Sequence, residues 1–439
     1  MKTLICIPCL LTGGTEIQTL NTVHALVQGG HQVTVACYFE HTPDMVNRYR
    51  KAGAEVILFS PEGIRVGGYK CILFLYKHLR RAIRAVRPDV AHVQYMAPGA
   101  MVVLLLWLMG VKNIIATAHT AADIYKDLRL IHFLQRHCLR AWTCITERAE
   151  RSFFGSSQLY TPETVLGRRN HFTIYNCLTF NVERLKINEE TAALYDDDNE
   201  NGSVITKTKT KTKTTSEVSA LNLTQKSQNS QNNENGQQPT TESSQSQPSS
   251  SFSSSSQKEP SAPFVLGVVS RLEPIKGMDL VVPAFAEVLK QHPDTQLLVV
   301  GDGSLRASME QQAVELGCAD HIRWVGRQPQ EELPRWYGQM DVVLMPSRSE
   351  GFGLTAIEAM ACGCVVVASD VGGLPEVVRD GACGLLHRTE DIADMESQIC
   401  TLISDQGLYD RLQAQSLREV EKYSFERYAE LIHNLYGKL

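Results

Sequence analysis

The sequence predicts an α/β protein built from two doubly wound parallel sheets, one in each half of the chain. Three observations carry this prediction. Short apolar runs rich in Val and Ile alternate with segments of helical period from Leu4 to Tyr175 and again from Pro263 to Ala368, and that alternation builds parallel sheets with helices on both faces. The chain has 439 residues, too many for one ordinary core. Between about 185 and 262 the composition changes to runs such as KTKTKTKTT, NSQNNENGQQ and SSSFSSSSQ. Such a segment has too little apolar surface to offset the entropy of ordering, so it is expected to be a disordered linker or insertion. The expected organisation is therefore 1–184, 185–262 and 263–423, with a helical tail over 424–439.

In the first half, LICIPCL reads as a strand, followed by a Gly13-Gly14 turn, a helix, a Gly-Gly stop and the strand HQVTVAC. This is the spacing of a βαβ unit, and its first turn is where open parallel sheets bind ligands. A glycine pair alone does not distinguish a ligand loop from a simple tight turn. Ala54–Ser60 is the next strand, then a helix from about Tyr69 to Val86 that Pro88 stops before the strand Val90–Val93. Lys77, Arg80, Arg81, Arg84 and Arg87 fall on one face of that helix, as a solvated stripe or as a contact for an anionic membrane or acceptor. Met96–Met109 is the longest apolar run, and at fourteen residues it falls short of the ~20 a bilayer needs, so it reads as a buried helix. Asn113–Ala118 is a buried strand ending at His119, which reads either as projecting into the crevice or as a satisfied core histidine, while Ala141–Thr146 and Phe172–Tyr175 complete the sheet.

In the second half Pro263–Val269 opens a new sheet and leads into the loop SRLEPIKG, which carries Arg271 and Lys276. A guanidinium that forks onto two oxygens beside an ammonium point charge suits a diphosphate, and a surface loop that merely carries two charges is the other reading. Strands follow at Gln296–Val300, Ile322–Val325, Asp341–Met345 and Val365–Ala368, with a short helix over Glu331–Met340. Ser349–Ala359, SEGFGLTAIEA, is the densest stretch of chemistry: Glu350 and Glu358 stand eight positions apart around Gly351 and Gly353. Glycines that admit a ligand to the backbone, followed at once by a helix start, make an anion cradle. The spacing places Glu358 on that helix about two turns above Glu350.

Residues 1–180 hold 20 Lys+Arg against 11 Asp+Glu, and 263–439 hold 15 against 26. The basic half is consistent with an acidic partner or an anionic lipid surface, or with ordinary scatter of charge on two solvated domains. Nothing points to nucleic acid. The twelve cysteines have no framework spacing, which suits reduced thiols and a cytoplasmic setting, and Cys6-x-x-Cys9 reads as packing on the first strand rather than a redox pair. No Cys/His metal-ligand spacing appears, and the start of the chain reads as a strand rather than a leader.

The E-x7-E of Glu350 and Glu358 within PSRSEGFGLTAIEAMACG, together with SRLEPIKG, VGDGSLR and SDVGGLPEVV, resembles the retaining GT-B glycosyltransferases of family 4, the group 1 glycosyltransferases. The resemblance implies a metal-independent enzyme that moves a sugar from a nucleotide-sugar donor to a glycan or lipid-linked acceptor by front-face attack, as in polysaccharide biosynthesis, with no cofactor. It implies that Arg271 and Lys276 hold the diphosphate, helped by the amides of Gly353, Leu354 and Thr355. Glu358 is implied to take the ribose, Glu350 the transferred sugar, Gly13 and Gly14 the approach to the phosphates, and His119 the reacting centre, with the tail crossing back to the first domain. Glu350 is then no covalent nucleophile, despite a carboxylate pair that suggests a retaining hydrolase. Val365 stands where the family commonly has proline, and Ile174-Tyr175-Asn176-Cys177 keeps only the asparagine of the usual joining turn. Two other readings stay open: a GT-B phosphorylase or nucleotide-sugar epimerase, and a non-catalytic glycan-binding or scaffold protein. Intact Arg271, Lys276, Glu350 and Glu358 speak against the latter.

Overall fold

The computed structural model describes residues 1–94, 99–125, 127–167, 169–178 and 263–439. The expected linker 185–262 and the Met96 end of the apolar run lie outside the described residues. The two described halves pack as one compact unit.

The first lobe is a parallel sheet of seven strands: β1 (Lys2–Ile7), β2 (Gln32–Cys37), β3 (Glu55–Leu58), β4 (Val90–Gln94), β5 (Asn113–Ala118), β6 (Ala141–Cys144) and β7 (His171–Thr173). Their order is β3-β2-β1-β4-β5-β6-β7, with Thr3 opposite Val90 and Cys6 opposite Val93. The order reverses between β1 and β4, so a crevice opens above their carboxyl ends. Strand side chains alternate between two cores. Leu4 and Cys6 face the layer of α3 (Gly68–Val86), α4 (Gly99–Leu108), α5 (Arg129–His137) and α6 (Glu147–Phe154). Ile5 and Ile7 face α1 (Gly14–Gln28) and α2 (Pro43–Lys51).

The second lobe repeats the plan with six parallel strands in the order β10-β9-β8-β11-β12-β13. They are β8 (Val265–Val269), β9 (Gln296–Val300), β10 (Ile322–Gly326), β11 (Val342–Met345), β12 (Val365–Ser369) and β13 (Gly384–His387). Its helices are α7 (Val281–Gln291), α8 (Arg306–Glu315), α9 (Leu333–Tyr337), α10 (Leu354–Ala361), α11 (Leu374–Val378), α12 (Ile392–Ser404) and α13 (Gln406–Glu419). The last helix, α14 (Phe425–Gly437), lies on the first lobe against α1. Tyr428 Oη is 2.7 Å from Thr22 Oγ1, Tyr436 Oη is 2.9 Å from His92 Nδ1, and Lys438 Nζ donates to the carbonyls of Pro162 and Thr164.

Several sequence expectations shift locally. β1 ends at Ile7, before Pro8 and its missing N–H, so Cys9 lies beyond the strand. β6 ends at Cys144, and Thr146 instead caps α6 by accepting from Ala149 N–H at 3.0 Å. The helix read over Glu331–Met340 shortens to α9 after a 3-10 turn at Gln330–Glu332. Val365 donates its N–H to the Asp341 carbonyl at 3.0 Å, a bond no proline there makes.

Candidate functional site

The two switch points face each other across one cavity of about 1550 Å³, lined by Gly13, Gly14, His119, Arg271, Lys276, Glu350, Gly353, Leu354, Thr355 and Glu358. All ten residues singled out from the sequence therefore share one cleft. On the first lobe, Gly14 opens α1, and a Cβ there would stand 3.3 Å from Leu354 Cδ1 across the cleft. His119 leaves the carboxyl end of β5, is buried, and has Nε2 2.7 Å from Gln94 Oε1. Burial, then the neighbouring His92, holds its pKa down at about 3. The imidazole is therefore a neutral hydrogen-bonding group at physiological pH.

On the second lobe, Arg271 follows β8 and Lys276 closes the 3-10 turn Pro274–Lys276. Gly277 behind it has φ +64, and a Cβ there would lie 1.9 Å from the Pro346 carbonyl oxygen. Only glycine lets this loop rest on that backbone. Lys276 Nζ donates to Glu350 Oε2 at 2.6 Å, so the two groups assigned to different parts of a ligand form a partly buried ion pair.

Glu350 stands in the loop before the helix. Gly353, at φ +102, breaks the chain direction, and α10 begins only at Leu354, putting Glu358 in its second turn. The start of α10 has no side-chain cap, leaving its dipole end directed at the cleft. Buried Glu358 accepts from Tyr337 Oη at 3.0 Å. Burial, then the Glu358 charge, pushes the Tyr337 hydroxyl well above the usual phenol range, so it stays a donor.

The thiols near the first turn are held as thiols. Burial pushes Cys6 up to about 12, and burial with the Glu16 carboxylate raises Cys9, whose Sγ is 3.1 Å from Glu16 Oε1. Among the described residues no group of three or more His, Cys, Asp or Glu side chains is placed to hold a metal ion.

Two family models fit the chain, "Glycosyl transferases group 1" over residues 250–418 and "Glycosyltransferase Family 4" over residues 12–158, between them most of its length. The chain belongs to the family 4, group 1 glycosyltransferases. Among relatives of this family, a D-inositol 3-phosphate glycosyltransferase of Corynebacterium jeikeium is 36% identical over 193 residues, covering 42% of this chain and 46% of that protein. A namesake from Nocardia farcinica is 41% identical over 163 residues, 36% of each chain. The aligned stretches thus span less than half the length of these relatives. Anabaena HepE, solved in complex with UDP, superposes over 100% of both chains with a TM-score of 0.69 at 16% identity. WaaG, a glycosyltransferase involved in lipopolysaccharide biosynthesis, covers 99% of both with a TM-score of 0.60 at 12% identity. These two likenesses establish the GT-B fold.

Within this family 4 chain, three contacting residues escaped the sequence reading. Gln94 holds His119, Tyr337 holds Glu358, and Glu376 crosses between the lobes. The last at least lies in a stretch that carries the resemblance, SDVGGLPEVV, without a role read from it.

Proposed function

We propose that the protein is a retaining glycosyltransferase that moves a sugar from a nucleotide-sugar donor to a glycan or lipid-linked acceptor without a metal. The observation that carries this reading is the gathering of Arg271, Lys276, Glu350, Glu358 and the α10 start on one wall, opposite His119 and the Gly13-Gly14 turn. Arg271, Lys276 and the first amides of α10 supply positive charge where a diphosphate leaves. Glu358, held by Tyr337, is oriented to accept from ribose hydroxyls. Glu350 and His119 flank the sugar, the histidine as a neutral group. In the transfer step the acceptor oxygen bonds to the anomeric carbon from the face the diphosphate leaves. The bond from that carbon to the phosphate oxygen breaks, and the departing oxygen takes the acceptor's proton. The names of relatives agree with a sugar-nucleotide reaction: one is a GDP-mannose-dependent mannosyltransferase of Mycolicibacterium smegmatis, and HepE was also solved with UDP-glucose.

The test is to incubate the full chain with a panel of nucleotide sugars and acceptors. Free nucleotide appearing only with acceptor, undiminished by EDTA, is the expected result. Phosphate-dependent turnover would instead assign a phosphorylase, and no turnover with intact nucleotide binding a binding protein.

We propose further that the outer layer of the first lobe rests on an anionic membrane. α3 with its C-cap, residues 68–87, carries six Lys and Arg and no Asp or Glu, and 99–112 and 129–140 have no acidic residue either. One exposed face of α3 runs from Tyr69, Ile72, Leu73 and Tyr76 into the basic stripe Lys77, Arg80, Arg81 and Arg84. Trp107 and Leu108 of α4 and Leu130 and Phe133 of α5 extend the exposed apolar surface over the same layer. Aromatic and aliphatic side chains interleaved with cations fit a lipid interface, where each cation near the surface is worth about 1 kcal/mol. Among the described residues no helix is long and apolar enough to cross a membrane. The protein is expected to co-sediment with vesicles containing phosphatidylglycerol, not with pure phosphatidylcholine, and Leu73→Glu with Tyr76→Glu should abolish this. Equal binding to both vesicles, or to neither, would sink the proposal.

A further inference from the structure

Glu376, on α11, takes no part in the chemistry proposed above, yet its side chain reaches the other lobe. Oε2 accepts from the Glu147 backbone N–H at 2.8 Å and Oε1 from that of Arg148 at 2.5 Å. These are the first two amides of α6, and Thr146 takes the third, on Ala149. A helix start leaves four amides without intrahelical partners, and here two are taken by a carboxylate from the opposite lobe, where the dipole favours negative charge. Arg151 adds an ion pair at 3.7 Å, and the Glu376 side chain is only 15% exposed.

The backbone around this cap leads to the cleft. A Cβ on Gly373 would stand 2.7 Å from both Thr146 Cγ2 and the Gly351 carbonyl oxygen, and one on Gly351 would stand 2.6 Å from the His119 carbonyl oxygen. Gly373 also donates its N–H to the Glu350 carbonyl at 3.3 Å. Packed backbone therefore runs without a gap from Glu376 to Glu350 on one wall and His119 on the other.

We infer that Glu376 is a positioning residue: by capping α6 across the lobes, it fixes the separation of the His119 wall from the Glu350 loop in the state that turns over. This rests on the transferase reading. The diphosphate and ribose grips Arg271, Lys276 and Glu358 all belong to the second lobe, so losing the cap disturbs the reacting geometry and leaves nucleotide binding intact. A displacement of about 1 Å in such geometry is worth up to ~100-fold in rate.

The test compares Glu376→Ala and Glu376→Gln with the unaltered full chain. In the alanine variant kcat should fall at least ~10-fold while the donor KM stays within about twofold, a split that a general loss of fold does not give. Glutamine, which keeps one acceptor oxygen, should fall between the two. Amide exchange at Glu147 and Arg148 should accelerate in the alanine variant and nowhere else in the first lobe. Unchanged exchange there, an unchanged kcat, or a loss of protection throughout the lobe would each overturn the proposal. If the unaltered chain transfers no sugar at all, the transferase reading fails, while the exchange measurement still shows whether the cap exists.

Discussion

Lys276→Ala is expected to lower turnover about 100-fold, close to 2.7 kcal/mol of transition-state stabilisation, while the protein stays folded. Lys276 lies in the cleft with its side chain 22% exposed, and its ammonium contacts Glu350 at 2.6 Å. Removing it withdraws the point charge proposed for the departing diphosphate. It also leaves the Glu350 carboxylate without this partner beside an arriving polyanion, so donor binding should weaken as well. The second effect separates from the first in Lys276→Ala/Glu350→Gln. If like-charge repulsion contributes, the double variant should bind nucleotide more tightly than Lys276→Ala alone and still turn over slowly. Steady-state kinetics with titrations of the free nucleotide measure both parts. Near-normal turnover of the single variant would remove Lys276 from the mechanism.

Why the fold was legible, and part of the site was not, follows from how each kind of information is encoded. Central parallel strands are buried on both faces, so VVLM and VVVAS read as unbroken apolar runs bounded by turns. β13 is four residues, GLLH, between a glycine turn and a polar segment, too short a run to separate from a loop. The site residues were legible because Arg271 with Lys276, and Glu350 with Glu358, are neighbours in sequence within glycine-punctuated loops. What was not legible is long-range. The partner of His119 sits 25 positions away on an adjacent strand, and that of Glu358 sits 21 positions away on α9. The cap on α6 comes from 229 positions along the chain. The expected helix start after the glycines matches the structure, where Gly353 at φ +102 precedes a helix beginning at Leu354 that carries Glu358.

Gly372→Ala should be as damaging as the loss of Lys276, through structure rather than charge. Gly372 has φ +57, which costs a side-chain-bearing residue about 1–2 kcal/mol. Its added Cβ would also lie 1.7 Å from the Glu350 carbonyl oxygen and 2.8 Å from the carbon behind it. Backbone is on the receiving side, so no rotamer change relieves the overlap, and an overpacking term of about 1–3 kcal/mol adds to the strain. A total near 3 kcal/mol is large against the stability of an ordinary fold. Gly381 provides the control: its φ is +72 with nothing within 4 Å of the added Cβ, so Gly381→Ala carries strain without overlap. Denaturant melts should therefore rank Gly372→Ala well below Gly381→Ala, and equal midpoints would show that the Glu350 loop yields freely. Where the variant remains folded, one of the two backbones must have shifted to relieve the overlap, which is expected to lengthen the 2.6 Å contact of Glu350 with Lys276. Turnover in that folded fraction should then fall through the displaced Glu350 loop, but less than in Lys276→Ala, because the Lys276 ammonium remains for the departing diphosphate.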